Sequence, residues 1–295
     1  MVRWSATLGA LGWLVAVLHQ PASGEPVNLF RRLTGIRAGR ERIDGEPRSA
    51  NGASSFHLVW EVPQVPLLEV SATLEVLQPP SVGRLYFFAL QVSFASERRL
   101  RGGAHLGLQW NPRFPDSTAA NWGGYGAEEG GGLLGGSPSP LPSRRNDPNT
   151  RDFAWKVGRR YRLRVAPSPD APADIHGWRG AITDLESGRE TVVRDLHTQG
   201  AYLTAPMVWT EAFSRCEHPS VTVRWSDLRG VNESGMEVRP QRVRVNYQRR
   251  EDGGCDNTSV IVDELGLVQA TAVQRQIPQG AVIGVPSQGR RLPTS

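Results

Sequence analysis

The chain has 295 residues, of which 39% are hydrophobic and 21% charged, with a formal net charge of +5. That balance excludes a chain disordered throughout, and 32 Gly with 22 Pro argue against a helical protein and for short strands joined by loops. The basic charge brings nucleic acid, membranes and acidic polysaccharide into view as partners, but Lys156 is the only lysine, and such an arginine skew beside abundant Ala, Gly and Pro is the mark of a GC-rich coding sequence.

At the N-terminus Arg3 precedes an apolar run from Ala6 to Leu18, and His19-Gln-Pro21-Ala22-Ser-Gly24 follows. Ala22 and Gly24 are the small residues of a cleavage site, so residues 1–24 read as a secretory signal peptide. The run is too short for a span of about 20 residues, and no later segment suits a bilayer. The mature chain is expected to be exported, without a membrane span, from Glu25 onward; nucleic acid is then excluded as a partner. Residues 25–54 read as a loosely ordered lead-in, residues 55–275 as one β-sandwich domain, and residues 276–295 as a flexible tail.

Strand patterns follow in order. Phe56, Leu58, Trp60 and Val62 alternate with other residues, as do Val70, Ala72, Leu74 and Val76. Arg84 to Phe94 is apolar nearly throughout, as in a strand covered on both faces. Gly102 to Asn111 reads as a strand whose Gly103 and Gly107 mark a bulge or the close approach of another backbone or a ligand. Residues 112–152 form a long irregular stretch, with Trp122 to Tyr125 expected to be ordered and the Gly/Pro/Ser part mobile. Tyr161, Leu163 and Val165 alternate with Arg160, Arg162 and Arg164, and Trp178 to Leu185 leads through a Ser187-Gly188 turn to a partner strand at Val192 and Val193. Met207 to Phe213, Val221 to Trp225 and Val243 to Tyr247 continue the pattern. The fold class is therefore all-β, built from antiparallel ribbons.

In an oxidising compartment Cys216 and Cys255 are expected to form a disulfide. Closing a loop of about 40 residues would stabilise the fold by about 4 kcal/mol in the chain-entropy model. Two thiols with no nearby His pair cannot complete a tetrahedral metal site, and no cofactor pattern is present.

Four pieces in order resemble secreted bacterial β-sandwich proteins of unknown function, related in architecture to the concanavalin-type lectins and glucanases. They are Gly103-Ala-His-Leu-Gly107-Leu-Gln-Trp110, Trp155 to Val165, Trp178 to Leu185 with its turn, and Trp209-Thr-Glu211-Ala-Phe213, within residues 80–225. The resemblance implies a two-sheet, jelly-roll-like (concanavalin-like) sandwich and lends no activity. The Glu-x-Asp-x-x-Glu strand of the glucanases is missing.

Three chemistries are legible. Trp110, Asn111, Asn121, Trp122 and Tyr125 combine aromatic rings that stack on sugar C–H faces with amides that bind hydroxyls; alternatively, Trp122 and Tyr125 fold inward and plug the end of the sandwich. Arg162, Arg164, Arg224, Arg242 and Arg244 lie opposite the apolar residues of their strands, as a ladder for carboxylates or sulfates or as a solvated face. Glu211, between aromatics, is a candidate general acid if burial raises its pKa and a second carboxylate such as Asp184 or Glu128 faces it; otherwise it is a structural residue. There is no nucleophile elbow, His-Glu-x-x-His helix or phosphate loop. The expectation is an exported, non-catalytic carbohydrate-binding or cell-envelope protein with polysaccharide or cell-wall glycan as partner. The alternatives are a polysaccharide-degrading hydrolase or lyase, and a structural or adhesion protein without a small ligand.

Overall fold

A computed structural model describes residues 41–127 and 131–286. The signal-peptide segment, most of the lead-in, Glu128 and the last residues of the tail lie outside them. Sixteen strands are present in the order β1 (Ser54–Glu61), β2 (Leu67–Gln78), β3 (Tyr86–Ser96), β4 (Arg99–Trp110), β5 (Thr118–Gly126), β6 (Thr150–Asp152), β7 (Arg160–Pro167), β8 (His176–Asp184), β9 (Glu190–Thr198), β10 (Tyr202–Ala212), β11 (Thr222–Asn232), β12 (Glu237–Val238), β13 (Arg242–Tyr247), β14 (Thr258–Asp263), β15 (Gly266–Thr271) and β16 (Val282–Gly284). Among the described residues no helix is long and apolar enough to cross a membrane.

The strands form two layers. Sheet I runs β16-β13-β1-β10-β3-β4-β5-β6, and sheet II runs β14-β15-β11-β2-β7-β8-β9, with β12 on β11; every pairing is antiparallel, and the layers join through the single pair Leu67↔Leu203. Period-two alternation turns one side of each strand inward. Phe56 and Leu58, Val208, Phe88 and Leu90, and Leu106 and Leu108 from sheet I meet Val70 and Leu74, Leu163, Ile182 and Trp225 from sheet II in one core. β3 is mid-sheet and buried along nearly its whole length, as its apolar run requires.

A polar hub spans the core. Gln269 on β15 is fully buried; its Oε1 accepts from Thr210 Oγ1 of the opposite sheet at 3.0 Å and from Trp225 Nε1 at 2.9 Å, while its Nε2 donates to the Phe56 carbonyl at 2.8 Å. Every polar atom of this side chain is thereby satisfied, which burial demands.

The ordered body reaches beyond the expected bounds of 55–275. Arg42 N donates to Asp256 Oδ2, Gly45 N to Glu217 Oε2 and Arg48 N to the Gly253 carbonyl, so residues 41–53 are tied down. Residues 282–284 of the expected flexible tail are β16, paired with β13. The Gly/Pro/Ser stretch expected to be mobile instead covers the edge of β9: Gly136 bridges Leu196, His197 N donates to Gly135 O, and Ser137 N donates to Asp195 O. Unpaired strand-edge groups attract whatever can satisfy them, here a loop of the same chain. Cys216 and Cys255 form the expected disulfide, joining the segment after β10 to the one before β14.

Candidate functional site

The residues expected to make one sugar-binding loop are dispersed. Asn121, Trp122 and Tyr125 lie on β5, where alternation sends Trp122 into the core and Asn121 and Tyr125 to the opposite side. Trp122 is fully buried and its Nε1 donates to the Trp178 carbonyl at 3.1 Å. Tyr125 is buried too, and burial pushes its hydroxyl pKa up. Asn121 is buried and donates to Thr150 Oγ1. Trp110, half-buried, packs against the core and donates from Nε1 to Val82 O. Asn111 donates to Gln109 Oε1 and accepts from Arg113 N, the role of a turn residue. A stacking platform at Trp122 and Tyr125 is therefore excluded by burial, and the inward plug is what β5 builds with Trp122.

The arginines do not form a ladder either. Arg162, Arg164 and Arg224 lie on sheet II, and Arg242 and Arg244 on sheet I. Carboxylates take all of them: Arg164 pairs with Glu69 and Glu190, Arg224 with Glu75 and Asp263, Arg162 with Asp227, and Arg242 and Arg244 with Glu61.

The face of sheet I turned away from sheet II is different. The register lines up Ser55, Glu211, Phe87 and Gln109 across β1, β10, β3 and β4; the next row is His57, Trp209, Ala89 and Gly107; the third is Val59, Met207, Gln91 and His105. Ala89 and Gly107 are small, so three rings converge over them: Phe87 lies 5.0 Å from Trp209 and 5.4 Å from His105, centroid to centroid, and His105 lies 5.8 Å from Trp209. Gly107 is required for a second reason, since a Cβ there would stand 2.0 Å from the Phe88 carbonyl oxygen. The close approach expected of a strand glycine is thus by backbone. Trp209 Nε1 donates to Gln91 Oε1 at 2.9 Å, and the His57 ring lies 6.0 Å from Trp209, tilted by 53°.

Glu211 borders this aromatic cluster, half-buried, and accepts a hydrogen bond from Asn51 Nδ2 at 2.8 Å. Desolvation pushes its carboxyl up to about 7, against the weaker opposing pull of Asn51. The same desolvation holds His57 and His105 down to about 4, so both imidazoles are neutral at pH 7. The face therefore carries aromatic rings, amides, neutral imidazoles and one carboxyl that exchanges its proton near neutrality. The other carboxylates of this face among the described residues are distant from Glu211: Glu61, held by Arg242 and Arg244, lies six residues along β1 from the Ser55 that pairs with Glu211, roughly 20 Å, and Asp152 is four strands away, roughly 19 Å at the usual spacing. Asp184 lies on sheet II, paired with Arg159 at 2.7 Å. Among the described residues no cluster of His, Cys, Asp or Glu is placed to hold a metal ion.

The sequence alone places Glu211 beside the aromatic Trp209 but does not reveal His57, Phe87, Gln91 and His105 as parts of the same cluster. The alternation of Trp209 and Glu211 with Val208 and Thr210 was the available signal. What joins Glu211 to Phe87 and Trp209 to His57 is strand pairing between distant segments, which no local pattern encodes.

No protein-family model matches the sequence, and no curated protein is similar to it. Among solved structures it is similar to Scytalido-glutamic peptidase with a peptide based transition state analog, at 10% identity over 77% of this chain and 98% of that one, with a TM-score of 0.39. SCP-B, a member of the eqolisin family of peptidases in complex with a tripeptide, shows the same coverage, identity and TM-score. The enzymatically active domain of tailspike protein 2 from bacteriophage CBA120 matches at 16% identity over 66% of this chain and 24% of that one, with a TM-score of 0.25. Likeness of this degree assigns neither a family nor an activity.

Proposed function

We propose that the chain is an exported glycan-binding protein and that it binds a neutral polysaccharide on the outer face of sheet I, around Trp209 and Glu211. One observation carries this reading. Arginine–carboxylate pairs cross the outer face of sheet II, whereas on this face they lie at the margin, as at Glu61 with Arg242 and Arg244, and its middle holds an aromatic cluster edged by half-buried amide, imidazole and carboxyl groups on rigid strands. Phe87 and Trp209 are themselves nearly covered, so they serve as the floor that holds the half-buried polar groups of His57, Gln91, His105 and Glu211 in place, and it is these groups that would meet sugar hydroxyls. The disulfide fits an oxidising compartment, which supports export.

A second reading has its own support. A carboxyl that titrates near pH 7 is matched to proton transfer, so Glu211 would serve as the general acid or base of a glycan-cleaving enzyme. With no partner carboxylate nearby among the described residues, that chemistry would not be the two-carboxylate hydrolysis of most glycosidases.

The test is binding of the protein to a panel of neutral and acidic polysaccharides, alongside Trp209→Ala and Glu211→Gln, with released sugars assayed. Binding to neutral glycans that is lost in Trp209→Ala, without products, supports the first reading. Products that disappear in Glu211→Gln move the assignment to the enzyme. A folded protein that binds nothing on the panel overturns both.

A further inference from the structure

At the margin where β6 ends sheet I and β9 ends sheet II, each layer contributes an arginine. Arg194 on β9 is the cross-strand partner of Gly180, which faces Trp122 in the core, so Arg194 also enters the space between the sheets. Arg151 on β6 is the partner of Ala120, a core residue, and enters the same space from sheet I. The two guanidinium groups converge on one acceptor: Arg194 Nη1 donates to the Pro148 carbonyl at 2.9 Å and Arg151 Nη2 donates to it at 3.3 Å. Arg194 Nη1 also donates to Asn149 Oδ1.

Neither arginine has a carboxylate partner among the described residues, although arginines elsewhere are widely paired. Arg194 is only 4% exposed, and the Nε of each arginine is buried without an acceptor. The two acids whose charge reaches Arg194 are engaged elsewhere. Asp147 Oδ1 accepts from Asn149 N and Thr150 N, and Asp195 holds Arg179 at 2.9 Å and Ser168. Burial, and then repulsion from Arg151, hold the Arg194 pKa below its usual value. Two like charges side by side with no carboxylate of their own among the described residues are costly, and a planar guanidinium is shaped to grip two oxygens of one anion.

We propose that Arg194 and Arg151, where β6 and β9 end the two sheets, form a binding site for one oxyanion, a carboxylate or a sulfate, gripped by the buried Arg194 and by the half-exposed Arg151. The site is separate from the outer face of sheet I and does not depend on what that face binds.

Isothermal titration of the protein at constant ionic strength tests this with sodium glucuronate, inorganic sulfate, and glucose as the neutral control. Saturable binding of one anion per chain is expected, weakened roughly tenfold or more in Arg151→Gln, which removes a charged hydrogen-bonding group from a half-exposed position, and abolished in Arg194→Gln. Should Arg194→Gln fail to fold by circular dichroism, Arg151→Gln and Arg151→Glu carry the test. A response to glucuronate alone assigns a sugar carboxylate, and a response to sulfate alone assigns a sulfate. Absence of saturable binding to either anion, or binding undiminished in the Arg151 variants, overturns the proposal. Trp209→Ala is expected to leave the anion response intact.

Discussion

The ring of Trp122 lies where a side chain at Gly180 would be: a Cβ added to Gly180 would stand 2.6 Å from Trp122 Cγ. One residue of sheet II is thus reduced to hydrogen so that the largest side chain of β5 can seat against it. Gly180→Ala should therefore destabilise the protein by about 1–3 kcal/mol through overpacking, and Gly180→Val by more. Chemical denaturation reads the loss, and tryptophan emission should shift to the red as the indole moves. A Gly180→Ala variant as stable as the parent would show that the Trp122 seat is slack.

Stability should rise with pH and level off near neutrality, from two opposed effects on one face. Glu211 titrates higher when folded, about 7 against 4.5 unfolded, so its contribution is full below 4.5 and is lost as pH rises through 7. His57 and His105 titrate lower when folded, about 4 against 6.5, so theirs is full above 6.5 and is lost as pH falls through 4. Two imidazoles outweigh one carboxyl between those limits, so stability climbs by a net of about one proton per pH unit between about pH 4.5 and 6.5 and levels off near about pH 7. Melting temperature measured from pH 4 to 9 should show the climb and the plateau, and Glu211→Gln should make the climb steeper, because the opposing carboxyl is gone. A climb of unchanged steepness in that variant would show that Glu211 does not titrate in this range.

Loss of the disulfide should be costly. Cys216 and Cys255 are 39 residues apart in sequence, and both sulfurs are buried beside the segment that holds residues 41–53. Cys216→Ser with Cys255→Ser is expected to cost about 2–5 kcal/mol, read as a lower denaturation midpoint. Equal midpoints for the parent with and without reductant would argue against it.

Gln269→Leu tests the hub across the core. The change keeps most of the volume but strands Thr210 Oγ1, Trp225 Nε1 and the Phe56 carbonyl, so a loss of about 1–3 kcal/mol or more is expected. Pairing it with Thr210→Val should recover part of the loss, because one stranded donor is then removed. A double variant no better than the single one would mean that Thr210 finds water.

Local chemistry made much of the fold legible. The Tyr161-Leu163-Val165 alternation is β7, the Ser187-Gly188 turn joins β8 to β9 with Gly188 at a φ of 72°, and the Arg84 to Phe94 run is the mid-sheet β3. The candidate site was less legible. Trp122 reads as a loop aromatic because Gly123 and Gly124 follow it, yet those glycines serve close packing: a Cβ at Gly124 would stand 2.7 Å from the Gly103 carbonyl oxygen. Composition suggests loop where crowding between chains of backbone is the cause. Arg162 and Arg224 read as a free basic face because their acids, Asp227 and Glu75, are supplied by the fold rather than by neighbours in sequence.

The position of β1 has a consequence for how the chain reaches its final form. Its two neighbours are β10 and β13, and Ser55 N is held by Gln248, 193 residues further on. A chain that emerges with its N-terminus first therefore leaves its first strand without either partner until most of the polypeptide has appeared. Closure of sheet I is a late event dominated by distant pairings, and such topologies fold slowly. Until then His57 and Ser55 have not met Trp209 and Glu211, so the face that carries the candidate site is among the last parts of the molecule to exist.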